Sequence, residues 1–347
     1  MEQMFENVLF IGPDIKGKGG ISSVLNSYSK MITPFHYMPS NSRYGTIVGI
    51  FVLIKLLVCL PYYCLVKRIK VIHIHGASGK SFVRKRLIMK WAKLLGRKVV
   101  FHCHSAEFEL YVEKIGRDKI VGELSEYDSI VVLSQKWAVF FRESLGLSNI
   151  VVINNIVEKV EHNIQNIDTG VVKMLFLGAI GERKGIFDLL GVVSLHKNEL
   201  KNRIKIYIGG NGEIGHLKSF IEENDIADCV EYVGWVSGYK KSELLKECDV
   251  VVLPSYNEGL PIVLLEAMAY AKPVITTNVG GIPEIIESGK NGVIITPGDK
   301  KALYEAIRLF MDNPQLIAEY GNDGLNRVKD YYPQSVKNQL ENLYKQL

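Results

Sequence analysis

The chain reads as an α/β protein of two doubly wound, Rossmann-like domains, and three observations carry that reading. Short β-branched runs alternate with helix-length segments from end to end. The alternation runs twice, once on each side of a polar stretch at 158–170. With 347 residues and 47% apolar content, the chain has material for two cores of ordinary size.

In the first half ENVLFIG, KVIHIHG, RKVVFHCH, DSIVVLS and VVINN are the expected buried strands. In the second half KMLFLGA, RIKIYIGG, CVEYVGW, DVVVLPS, KPVITT and NGVIIT take that place. GIFDLLGVVSLH, HLKSFIEEN, KSELLKE and DKKALYEAIRLFMDN are the helices between them. Glu158 to Gly170 (EKVEHNIQNIDTG) has neither period nor apolar content and is the natural linker. The expected domains are therefore 1–165 and 166–330, with a last helix over 331–347 packing back on the first. Sheets of this kind bind ligands beyond the carboxyl ends of their strands, so the expected active site is a cleft across which the domains face.

A formal net charge of +5 and a pI near 8.7 suit an anionic membrane surface or a phosphorylated substrate and do not call for nucleic acid. Five cysteines without CxxC spacing argue against a disulfide framework or a zinc site and fit a reducing cytoplasm. The opening MEQMFENVLFIGP has no basic n-region, so no signal peptide is expected. TIVGIFVLIKLLVCLPYYCLV at 46–66 approaches the length of a membrane span, but Lys55 near its middle and Pro61 argue against a crossing. Two readings stay open for it: a core helix, or a helix lying on a membrane with Lys67, Arg68 and Lys70 on anionic headgroups. The basic segment at 80–98 (KSFVRKRLIMKWAKLLGRK) extends the second.

Five groups of residues carry candidate chemistry. In EGLPIVLLEAMA, Pro261 suits the first turn of a helix running to about Ala271. That places Glu258 in the loop before the helix and Glu266 on it. Gly259 admits close backbone approach, and free N–H groups at the helix start favour an anion. In GPDIKGKGGISSVL, Gly17, Gly19 and Gly20 lead into a helix whose N–H groups suit a phosphate, without the form of a P-loop. GNGEIG matches G-x-G-x-x-G at Gly210, Gly212 and Gly215. It follows the second strand of its half, however, and the next strand carries Glu231 in its interior, so Gly210 and Asn211 are read as a turn near a base or ribose.

The histidines form the fourth group. His102 and His104 fall two apart on a strand and share a face, a spacing that would allow a shared metal. No acid-rich ligand set accompanies them, and no metal is expected. His73 and His102 read as satisfied core residues. His104, at the strand end, is the candidate donor to a substrate hydroxyl. In GERKG, Lys184 with Arg183 precedes a helix beginning near Gly185, where a lysine can neutralise a phosphate.

Together GAIGERKG, YIGGNGE, VEYVGWV, DVVVLPSYNEGLPIVLLEAMAYAKPVITTNVGGIPEII and NGVIITPGD resemble the retaining glycosyltransferases of family 4, group 1, which adopt the GT-B fold. GKGGISS, IHIHG, FHCHSAEF and VVLS extend the likeness to nearly the whole chain. The resemblance implies that Glu258 lies by the donor sugar and that Glu266 holds the ribose hydroxyls. It places the backbone of Gly259, Leu260 and Pro261 against the sugar, and Lys184 and the Gly19–Gly20 loop on the diphosphate. His104 would lie near the C6 hydroxyl of the sugar. Where the family reads Gly-Arg, this chain has Gly178-Ala179, which leaves Arg183 as the cation that would have to substitute.

The implied function is metal-independent, retaining transfer of a hexose from a nucleotide-diphosphate sugar, UDP-sugar first, with no other cofactor. The implied acceptor is a saccharide, lipid-linked, in bacterial surface polysaccharide or capsule synthesis, at the cytoplasmic face of the plasma membrane. A non-catalytic GT-B partner subunit and a sugar-nucleotide epimerase are the alternatives.

Overall fold

The structure, a computed structural model, describes residues 2–161 and 170–347; the central part of the linker expected at 158–170 lies outside the described residues. The chain divides into two compact units, one running to Ile156 and taking in Tyr331–Leu347, the other Val157–Asp330. The first unit is thus left nine residues before the boundary expected at 165.

Unit 1 holds β1 (Val8–Gly12), β2 (His36–Pro39), β3 (Val71–Gly76), β4 (Lys98–Cys103), β5 (Ser129–Val132) and β6 (Ile150–Val152). Unit 2 holds β7 (Val172–Leu177), β8 (Ile204–Gly209), β9 (Val230–Gly234), β10 (Val250–Leu253), β11 (Val274–Thr277) and β12 (Gly292–Ile295). Each set forms one parallel sheet, in the orders β2-β1-β3-β4-β5-β6 and β9-β8-β7-β10-β11-β12. The two doubly wound sheets expected from the alternation are present. Every residue of β1, β3, β5, β10 and β11 is buried, as strands covered on both faces require. Strand order reverses between β1 and β3 in unit 1 and between β7 and β10 in unit 2, and such reversals open a crevice at the strand ends. The sequence pattern misses β2, a four-residue edge strand of mixed polarity.

In unit 1 the helices α1 (Gly20–Met31), α2 (Thr46–Leu65) and α3 (Lys80–Leu94) follow β1, β2 and β3. α2 is long and apolar enough to cross a membrane by length and composition, yet only 22% of it is buried. Gly49, Leu56, Leu60 and Cys64 make its buried stripe, and the Trp91 indole N–H of α3 donates to the Leu57 carbonyl. Ile47, Phe51, Ile54, Val58, Tyr62 and Leu65, also spaced by three or four, face outward. A core helix would bury that second stripe, so the core reading fails for this face.

The basic segment at 80–98 departs from its expected role as a free cationic face. Lys85 is fully buried, and Arg86 pairs with Glu123, Lys90 with Glu126, and Lys93 and Lys98 with Asp128. Its charge is mostly consumed within unit 1.

The last helix, Pro333–Lys345, starts with proline in its first turn and buries Val336, Leu340, Leu343 and Tyr344 within unit 1, against α1. Its Tyr344 ring meets Phe5 edge to face at 5.8 Å, and its hydroxyl lies 2.6 Å from His73 Nδ1.

Candidate active site

In unit 2 the residues singled out from the sequence collect where β7 and β10 end, at the reversal of strand order. After β7 the chain runs through Gly178 and an exposed Ala179 into a single 3-10 turn, Glu182–Lys184, then turns at Gly185 (φ 68°) into the Ile186–Leu195 helix. Only glycine fits at 185, because a Cβ there would stand 2.0 Å from the Pro254 carbonyl oxygen. That close approach ties the loop after β7 to the loop after β10. The ties continue with Tyr256 N–H to the Arg183 carbonyl at 2.9 Å and the Arg183 guanidinium to the Asn257 carbonyl at 3.0 Å.

Glu258 is brought to Lys184 by this junction. The lysine Nζ donates to Glu258 Oε1 at 2.5 Å, and Ser255 Oγ donates to the same oxygen at 2.8 Å. Both partners are shielded, with side-chain exposures of 15% for Lys184 and 6% for Glu258. A buried carboxylate is tolerable here because a cation and a hydroxyl satisfy it. Their charged heads stand ready to exchange partners with a phosphate and with hydroxyls.

Gly259, Leu260 and Pro261 are buried beside Glu258. Pro261 caps the helix Ile262–Ala269 from outside rather than forming its first turn, and the helix ends two residues before Ala271. The loop after β11 braces this segment. Gly281 N–H donates to the Gly259 carbonyl at 2.7 Å, Thr277 Oγ1 donates to the Ser255 carbonyl at 2.6 Å, and Gly280 sits at φ 55° with no room for a Cβ against the Glu258 carbonyl. Glu266, one turn into the helix, pairs through Oε1 with Lys241 of the helix Gly238–Glu247.

Gly210 and Asn211 follow β8 and lie along the loop after β7. Ile180 N–H donates to the Asn211 carbonyl at 2.7 Å, and a Cβ on Gly210 would fall 1.9 Å from the Gly178 carbonyl oxygen. Gly210 and Gly212 thus let two strand-end loops run side by side. Ser255 and Lys241 were not foreseen. Ser255 had a weak signal, a hydroxyl three residues before the motif glutamate; Lys241, 25 residues from Glu266, had none.

In unit 1, Gly19 and Gly20 open α1, with Gly19 at the N-cap (φ 143°) and no side chain capping the helix. The preceding turn is held by the Asp14 backbone carbonyl, which accepts from the Gly17 N–H at 2.8 Å and from Ser22 Oγ at 2.8 Å. His104 follows β4, half-buried, with its N–H bonded to the Gly76 carbonyl at 2.8 Å and its Nε2 2.9 Å from His75 Nδ1. Burial lowers His73 to about 3, and burial, then neighbouring charges, holds His75 and His102 well below the ordinary histidine value, so these rings are neutral at pH 7. Burial lowers His104 as well.

Residues 157–327 match the family described as glycosyl transferases group 1. An uncharacterized glycosyltransferase of Methanocaldococcus jannaschii is 28% identical over 204 residues, 59% of this chain and 55% of that one. The amylovoran biosynthesis glycosyltransferase AmsK of Erwinia amylovora is 34% identical over 142 residues, 38% of this chain and 34% of that one. The matches thus span about a third to a half of those relatives' own lengths. Among solved structures, Anabaena HepE in complex with UDP superimposes over 98% of this chain and all of its own with a TM-score of 0.76 at 16% identity, a likeness of fold. The fold is GT-B, and residues 157–327, just under half of the chain, match the glycosyl transferases group 1.

Proposed function

We propose that the protein is a metal-independent, retaining hexosyltransferase that moves a sugar from a UDP-sugar to a hydroxyl of a saccharide acceptor. The shielded Lys184–Glu258 pair, with Ser255 on the same carboxylate, carries this reading. In it Lys184 takes the diphosphate and stabilises the charge that develops as the glycosidic C–O bond breaks, while Glu258 accepts from donor-sugar hydroxyls. The acceptor oxygen bonds to the anomeric carbon on the face the diphosphate leaves, and its proton passes to the departing phosphate. Gly259, Leu260 and Pro261 line the sugar, Glu266 holds the ribose, and Arg183, in place of the arginine lost at Ala179, sits one residue from Lys184. Gly210 and Asn211 flank the base, and in unit 1 Gly19 and Gly20 offer N–H groups to the phosphates and His104 a ring nitrogen to the sugar. HepE has been solved with UDP and with UDP-glucose, which favours a uridine donor.

The test is thermal shift and hydrolysis of the purified chain against UDP-, GDP- and ADP-sugars, repeated with Glu258→Ala and Lys184→Ala. A donor-specific stabilisation weakened by both substitutions is expected. A folded protein indifferent to every donor would instead be a non-catalytic GT-B subunit.

For the acceptor, the outward apolar stripe of α2 and the exposed Lys67, Arg68 and Lys70 that follow it favour a lipid-linked saccharide at an anionic, cytoplasmic bilayer face. AmsK, named for amylovoran biosynthesis, points to surface polysaccharide. Flotation with anionic vesicles should recover the protein and fail for Phe51→Glu/Val58→Glu. Equal recovery of the two would refute docking through α2.

A further inference from the structure

β3 and β4 bring four imidazoles to one face of the unit 1 sheet. Alternation puts His73 with His75 and His102 with His104 on that side, and register sets His75 opposite His102. Ring centroids lie 4.8 Å apart for His73 and His75, 5.1 Å for His75 and His104, and 4.3 Å for His102 and His104. Phe10 stacks on His73, Tyr28 of α1 meets His75 edge on, and Tyr344 closes the far end. The rings pair through two contacts, His73 Nε2 to His102 Nδ1 at 3.1 Å and His75 Nδ1 to His104 Nε2 at 2.9 Å.

One nitrogen from each of His73, His75 and His102 falls within a spread of 4.8 Å, which raises a metal reading. A transition metal holds its nitrogens at about 2.0–2.1 Å, so they would have to draw closer than that spread. Both nitrogens of His73 are, moreover, already engaged, with Tyr344 and His102. Hydrogen-bonded pairing accounts for the geometry without breaking any contact.

The His75–His104 pair then has one proton to place. If His75 donates from Nδ1, its buried Nε2 is left as a bare lone pair. If His104 donates instead, that Nε2 carries an N–H with no acceptor among the described residues. A buried donor without an acceptor is the rarer orphan.

We propose that His75 is a positioning residue for His104: its Nδ1–H donates to His104 Nε2 and so keeps the His104 proton on Nδ1, the nitrogen left for a ligand. The use of that N–H on a donor-sugar hydroxyl rests on the transferase reading; the tautomer itself does not. The groups facing His75 are Tyr28 from α1, Lys85 from α3, and the other three histidines.

The test is long-range proton–nitrogen correlation on the full chain with 15N-histidine at pH 7.5, with His104 assigned through His104→Gln. The expected spectrum shows both His75 and His104 protonated on Nδ1. His75→Phe, which keeps the ring stack and removes the donor, should shift His104 toward the Nε2–H form and lower kcat/KM for the sugar donor about tenfold, the loss of one hydrogen bond. His75→Asn, whose amide N–H takes the place of Nδ1–H, should restore both. A wild-type His104 protonated on Nε2 overturns the inference, as does an identical His104 signal in the Phe and Asn variants. Resonances of His73, His75 and His102 that move when a chelator is added would also overturn it, in favour of a metal. An Nδ1–H His104 in a chain that transfers no sugar would sink the transferase reading and leave the His75 contact standing.

Discussion

Lowering the pH from 7.5 to 5 should unfold unit 1 selectively. His73, His75 and His102 are fully buried, and burial, the largest cause, holds each neutral well below the ordinary histidine value. In the unfolded chain each regains a pKa near 6.5. Between the folded and unfolded values the unfolded state binds more protons, so stability is present above about pH 6.5 and drains away as pH falls. At pH 5 the loss per ring is about 2 kcal/mol, set by the unfolded value and insensitive to how far the folded value has dropped. Three rings make about 6 kcal/mol, comparable with the whole stability of many domains. His104 has the same sign but is only half-buried as a residue and is left out of the sum.

Other titrating groups do not mask the effect. Burial raises Asp128 while its bonds from Lys93 and the Val99 N–H lower it, with a net shift downward, so it protonates below this window. Burial lowers Lys85 to about 7, and its contribution is lost mainly between pH 10 and 7, above most of the window. Unit 2 contains none of the buried histidines and serves as an internal control. Hydrogen exchange along a urea series, corrected for intrinsic rates, should show the β3 and β4 amides losing protection at much lower urea at pH 5 than at pH 7.5, with β10 and β11 little changed. Equal midpoints for β3 and β4 at both pH values would mean that the histidines are charged in the folded protein, and the reasoning from burial would fail.

Three further outcomes follow from the packing. Lys184→Ala leaves Glu258 buried without its cation and should cost unit 2 about 3 kcal/mol, while the double variant Lys184→Met/Glu258→Gln recovers most of it; a thermal double-mutant cycle with no coupling would refute the pair. Gly280→Ala places a Cβ 1.9 Å from the Glu258 carbonyl at φ 55°, so melting temperature and UDP-sugar response should fall together, and a stable variant with an intact response would show that the two loops are not braced there. Removing 331–347 exposes the surface under Val336, Leu340 and Leu343, at about 1.5–3 kcal/mol per side chain, and takes Tyr344 from His73, so unit 1 should be recovered unfolded; a truncated chain with native β3 and β4 protection would contradict this.

The strands that line both cores were legible because a strand covered on both faces has to be apolar along its length, as VLFIG and VVVL are. β2 escaped because an edge strand of four residues, HYMP, carries no such demand. Glu258, Lys184 and Glu266 were legible from motif and helix start. Lys241 was not, since it reaches Glu266 through folding rather than local spacing. HCH announced one shared face, but the cross-strand bonds to His73 and His75 depend on β3 and β4 being neighbours, which only the sheet order supplies. α2 is apolar all round, so no periodicity told which stripe would dock and which would stay bare.

The position of the Lys184–Glu258 pair is itself an argument about use. A buried ion pair is a poor stabilising device, because desolvation takes back much of what attraction gives, and two packed apolar side chains would hold these loops at least as well. The loops also have firmer ties of their own in the Gly185 approach, the Tyr256 N–H bond and the Thr277 hydroxyl. What the pair adds is two shielded opposite charges at the one place in the sheet where adjacent helices part, 74 residues distant in sequence and 2.5 Å apart in space. A diphosphate taking Lys184 while a sugar hydroxyl takes Glu258 swaps one satisfied contact for two, with the desolvation already met in the empty site. On that reasoning the double variant Lys184→Met/Glu258→Gln should match the parent in stability without ligand and gain nothing from any UDP-sugar; a double variant that still gains the parent's thermal shift would place donor binding elsewhere on the chain.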